Sequence, residues 1–65
     1  MRLTEFWERM RDRFGPAYAD SVARDQVIGG LGNRTVNEAL AAGVSAKDVW
    51  RAVCVHFEIP VADRH

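Results

Sequence analysis

Few side chains in this chain are able to do covalent or acid–base chemistry. Cys54, His56 and His65 make up the whole set of thiol and imidazole groups. Cys54 and His56 lie two residues apart in a segment with helical spacing, so they point in different directions. With no further ligands at hand, they do not make a zinc site. The acidic residues are scattered over polar faces, mostly with an arginine nearby. No catalytic, metal or cofactor site is expected, and the protein is not expected to be an enzyme. A single cysteine excludes an internal disulfide framework. On an apolar helix face, Cys54 reads as a small buried hydrophobe.

The glycine-rich string Gly29-Gly30-Leu31-Gly32-Asn33-Arg34 invites comparison with a phosphate-binding loop. A P-loop needs a preceding strand, a longer spacing and a lysine before Ser or Thr, and none is present. The glycines are read instead as a helix cap and a tight turn. Two other groups of residues carry recognition chemistry. Trp7 and Trp50 are the expected anchors of either the core or a protein interface. Arg34, Lys47 and Arg51 are the candidate phosphate contacts if the protein binds DNA.

These residues have to be positioned by helices. Leu3, Phe6, Trp7, Met10 and Phe14 form one stripe at three- and four-residue spacing, which predicts a helix from about Thr4 to Phe14, capped by Thr4. Its polar face sets Glu5 four residues before Arg9, a favourable ion-pair spacing. Gly15-Pro16 breaks the pattern, and a second helix is predicted from Ala17 to about Ile28. Its apolar arc runs through Tyr18, Ala19, Val22, Ala23 and Val27, while Ile28 points elsewhere. Either that helix end is covered on two sides or the boundary at Ile28 is wrong.

Thr35-Val36-Asn37-Glu38 reads as a capping box that opens a third helix over about 36–42, and Gly43 stops it. Ser45 caps a fourth helix over about 46–57, with Val44 and Val49 spaced as a hydrophobic staple. On that helix Ala46, Val49, Trp50, Val53, Cys54 and Phe57 span an apolar arc of roughly 140° at 100° per residue. Ile59-Pro60 ends it, and 61–65 is read as a frayed tail. The fold expected is therefore all-α: one small compact bundle of three to four helices, with a helix-turn-helix-like hairpin at 35–57.

That hairpin raises the question of DNA binding. Aligned on Gly43, the template places Ala39, Val44, Val49 and Ala52 well. It asks for an apolar residue where Glu38 stands, and Asp48 would meet phosphates unfavourably. Nine bases balance nine acids, so the excess of positive charge usual in nucleic-acid binders is missing. Eight of the nine bases are arginine. At 65 residues the chain has room for one small domain, whose thin core would gain from a partner or from self-association. There is no signal-peptide pattern and no apolar run of about 20 residues, so a cytoplasmic protein that does not enter membranes is expected.

The sequence also resembles a small uncharacterised actinobacterial family classed as a domain of unknown function. The resemblance is carried by Met1-Arg2-Leu3-Thr4-Glu5-Phe6-Trp7, Phe14-Gly15, Tyr18-Ala19, Ala23-Arg24-Asp25, Leu31-Gly32, the run from Arg34 to Val44, and Val49-Trp50-Arg51-Ala52-Val53-Cys54. It covers nearly every residue and implies no activity, so no site residue is carried over from it. The reading that results is a non-catalytic protein-interaction module with a protein partner or a weak homodimer. The alternative is a small helix-turn-helix-like DNA-binding regulator, with nucleic acid disfavoured as partner.

Overall fold

Helix α1, Leu3–Phe14, is built on the aromatic stripe. Phe6 and Met10 are fully buried, whereas Trp7 and Phe14 are half-buried and pack against the core from its edge. The computed structural model describes residues 1–64. The helix begins one residue before the expected start. Arg2 is its N-cap and no side chain caps it, so Thr4 does not play that part. Leu3, the outermost member of the stripe, is 51 % exposed because it lies a full turn before the buried Phe6.

Gly15 joins α1 to α2, Pro16–Asp25, as a one-residue connection. Its N–H donates to Arg11 O at 2.8 Å and its carbonyl accepts from Ala19 N at 2.9 Å, so a single residue closes one helix and opens the next. At φ 88° and ψ 152° it is not in the left-handed helical conformation expected of a helix stop. It occupies an extended region open almost only to glycine.

Helix α2 ends at Asp25, three residues short of the predicted end, with Gln26 as its C-cap. The reason is Ile28, which lies off the arc of Ala19, Val22 and Ala23 that α2 buries. The chain leaves the helix and becomes extended there, which brings Ile28 to complete burial. Ile28 N donates to Arg34 O at 2.9 Å, forming an isolated antiparallel bridge that closes the loop. Tyr18 and Val27, which spacing places on the apolar arc, are instead 56 % and 53 % exposed; Tyr18 stands edge-on to Phe14 and Val27 lies beyond the helix end. The glycine string forms a tight 3₁₀ turn, Gly29–Leu31, capped by Gly32 in the left-handed conformation; the cap of α2 is Gln26 and not a glycine. Gly30 sits where an added Cβ would be 3.4 Å from Ala52 Cβ, so its small size lets the loop lie against the fourth helix.

Helix α3, Val36–Ala41, is only six residues long, too short to persist without its ends. Both bonds of the capping box form: Glu38 N donates to Thr35 Oγ1 at 3.1 Å, and Thr35 N donates to Glu38 Oε1 at 2.9 Å. These bonds, together with nearby Arg34, hold the Glu38 carboxyl below its ordinary range. A depressed carboxylate contributes stability above its unfolded pKa and loses it as pH falls through the lower folded value. Glu38→Gln should therefore show a smaller drop in melting temperature than the parent between about pH 6 and about pH 3. An identical drop in both proteins would remove Glu38 from the acid response.

At the other end of α3, Gly43 (φ 93°) donates to Leu40 O and Val44 N donates to Ala39 O, a Schellman pair. Ser45 then caps α4, Ala46–His56, by accepting from Asp48 N at 3.2 Å. Helix α4 closes with the same motif, shifted to a residue that is not glycine. Glu58 N donates to Val55 O and Ile59 N to Cys54 O, with Glu58 at φ 53°. A left-handed L-residue costs roughly 1–2 kcal/mol, which glycine avoids at some cost in unfolded-chain entropy. Glu58→Gly should therefore stabilise the protein by about 0.5–1 kcal/mol, raising the melting temperature by a few degrees. A fall in melting temperature would show that the strain at Glu58 is not there.

The four helices enclose one hydrophobic core, in which Phe6, Met10, Val22, Ile28, Val36, Val49, Val53 and Ile59 are all but inaccessible. Helix α1 packs on α2 and α4, α2 on α3, and α4 on α3 and on the 3₁₀ turn. Phe6 meets Trp50 edge-to-face at one level, and Phe14 meets Phe57 at another. The fold is thus the small all-α bundle expected. The expected frayed tail is instead docked. Ile59 is buried, Val61–Asp63 forms a 3₁₀ turn, and Arg64 is half-buried; position 65 lies outside the described residues. Among the described residues no helix is long and apolar enough to cross a membrane.

Candidate functional site

Helix α4 presents Lys47, Trp50, Arg51 and Cys54 at three- and four-residue intervals, one stripe down its length. This stripe forms one wall of a cleft of about 360 Å³. Arg9 of α1 faces it, the docked tail adds Arg64, and Met1 sits at the rim. Four of the chain's nine bases therefore meet at one concavity, and among the described residues no carboxylate lines it. Among the described residues the only ion pair within 4.0 Å is Arg24–Asp25, between exposed neighbours elsewhere. The expected Glu5–Arg9 pair does not form.

The tail is held by a small ring of hydrogen bonds around one carbonyl. Trp50 Nε1 donates to Arg64 O at 3.0 Å, and Arg9 donates to the same oxygen at 3.2 Å. The Arg64 guanidinium in turn donates through Nε to Ile59 O at 2.8 Å. These bonds hold the Arg9 and Arg64 side chains in place, while Lys47 and Arg51 are exposed. Cys54 is reached by the cleft but is buried, and burial pushes its thiol up. The positive charges of Arg64, Arg9 and Arg13 pull the other way without overcoming it. A protonated, enclosed thiol is a poor nucleophile.

A second concavity of about 380 Å³ lies across α4, formed by Gly29 and Gly30 of the turn with Asp48, Ala52, Val55 and His56. Arg51 belongs to the walls of both. Val55, off the buried arc of α4, is 65 % exposed here.

Of the residues singled out in the sequence, the structure brings Trp50, Lys47 and Arg51 together. Trp7 is half-buried against Phe6 and does not line the cleft. Arg34 is exposed beside the α3 capping box, also outside the cleft. Arg9 and Arg64 were missed. Arg9 looked like an ordinary member of a solvated helix face, and Arg64 belonged to a segment read as frayed. The one usable signal for the tail was Ile59, an apolar residue just beyond a helix end, where Schellman motifs bury one.

Neither the curated proteins nor the solved structures contain a match to this chain. A family model described as a protein of unknown function, DUF3046, matches residues 1–62, and the chain belongs to that family.

Proposed function

We propose that the protein is a non-catalytic protein-interaction module that binds through the cleft between α1, α4 and the tail. The observation that carries this reading is the gathering of Arg9, Lys47, Arg51 and Arg64 around one concavity, with no carboxylate among the described residues of its walls, on a chain of net charge zero. Like charges brought together repel, and the arrangement becomes favourable when an anionic group enters. Guanidinium groups suit that task because they bind carboxylates through two parallel hydrogen bonds. A non-catalytic role is supported by the chemistry of the walls: among the described residues that line the cleft, the buried thiol of Cys54 is joined by no histidine or carboxylate that could act as base.

The test is affinity capture with the protein anchored through Asn37→Cys, an exposed position on α3 away from the cleft, since Cys54 is buried. Proteins retained by the parent should be lost when Lys47→Glu and Arg51→Glu are combined, with helical circular dichroism unchanged. An identical retained set on both columns would overturn the reading.

A second reading, DNA binding, has one observation in its favour. Lys47 and Arg51 do share an exposed face, and α1 flanks that face rather than covering it. It requires a duplex shift at about 50 mM salt that falls steeply with added salt. Arg34 lies apart from that face, and Asp48 is next to it in sequence. A complete lack of shift at low salt would end this reading.

A further inference from the structure

We infer that the cationic cleft and the second concavity form one continuous site for an extended segment of a partner protein, acidic in one half and aliphatic in the other. The inference rests on the interaction reading above and specifies the occupant. Arg51 is the shared wall, so a chain laid over α4 at that point passes from one concavity into the other. The two halves differ sharply in chemistry. The first is ringed by Arg9, Lys47, Arg51 and Arg64 around the edge of Trp50. The second is lined by Gly29, Gly30, Ala52 and exposed Val55, with His56 and the carboxylate-bearing Asp48 beside the shared Arg51.

Asp48 decides against a uniform polyanion. Phosphates or carboxylates continued along the whole track would meet its negative charge, whereas a segment that turns aliphatic after its acidic residues would not. The spacing follows from geometry. A helix with its side chains is about 10 Å across, and extended chain rises roughly 3.3 Å per residue. The aliphatic side chains should therefore come about three to four residues from the centre of the acidic group.

The probe is a fluorescein-labelled peptide, Asp-Glu-Asp-Ser-Val-Leu, titrated by anisotropy against the full chain. Binding is expected, and it should weaken by about tenfold when the peptide's acids become amides or when the protein carries Arg51→Glu, the value of one lost charge-assisted hydrogen bond. Val55→Asp, at an exposed site that leaves the fold intact, should weaken the parent peptide but not a version ending in Ser-Ser. Equal binding of the acidic and amide peptides would overturn the proposal. So would polyglutamate binding as tightly as the mixed peptide, or a DNA duplex displacing it at low salt. Self-association abolished by Arg51→Glu with no peptide bound would make the occupant a second copy of the chain and overturn it equally. If captured proteins are still lost on charge reversal while the peptide never binds, only the occupant is wrong. If both assays fail, the interaction reading falls with it.

Discussion

Phe6→Ala should leave little or no folded protein at 37 °C. Phe6 is completely buried and, among the described residues, is the one ring paired with both tryptophans, Trp7 at 5.1 Å and Trp50 at 6.2 Å between centroids, each edge-to-face. Truncating such a ring costs about 3–5 kcal/mol, because the transfer energy is lost and a cavity remains. A chain of this length holds a total stability of only about 3–10 kcal/mol, so the loss takes about a third to all of it. Thermal melting followed by helical circular dichroism should show a fall of more than about 12 °C, or no transition at all. A fall of only a few degrees would mean that the core closes around the gap and that Phe6 is not its hub. The functional consequence is direct, because Trp50 forms part of the cleft wall and rests on Phe6.

The second large effect is expected where there is no contact to lose. Gly15→Ala adds one methyl group that meets nothing within 4 Å. The backbone at φ 88° and ψ 152° nevertheless excludes a side chain, and forcing one there costs about 1–3 kcal/mol. The melting temperature should fall by about 4 °C or more. Gly29→Ala is the matched control: it too has open space around its Cβ, but its φ is not positive. That change should be neutral or slightly stabilising, by up to about 1 kcal/mol, through the unfolded chain. Equal effects at the two positions would show that the connection between α1 and α2 is not held by backbone conformation.

The parts of this structure legible in the sequence are those determined within a few residues. The Thr35–Glu38 box, the Gly43 stop and the Ser45 cap each depend on neighbours three to five positions away, and each forms with the partners the spacing implies. The aromatic stripe of α1 and the apolar arc of α4 follow from period alone. The end of α2 was not legible, because it depends on how deeply Ile28 is drawn beneath the turn, a question of tertiary burial. The cleft was hidden for the same reason on a larger scale. Its defining contact joins Arg9 to the backbone of Arg64, 55 positions apart. Net charge concealed it as well, since a zero sum is compatible with four bases on one concavity and the acids elsewhere. Lys47 and Arg51 were visible as a pair on one helix face, yet their chemistry changes once Arg9 and Arg64 stand opposite them.

Met1 and Arg64 both border the cleft, so the two ends of the described chain leave the bundle at the same rim. Any peptide joined to either end starts within a few ångströms of the cationic walls. A short flexible linker gives such a tethered segment an effective concentration in the millimolar range. Even a weakly complementary sequence would then occupy the site ahead of a free competitor. A purification tag at either end would act as an unintended ligand, and one rich in acidic residues would act as a strong one. Conversely, a genuine binding segment fused at the rim would report its own docking, through the change it makes to the indole of Trp50.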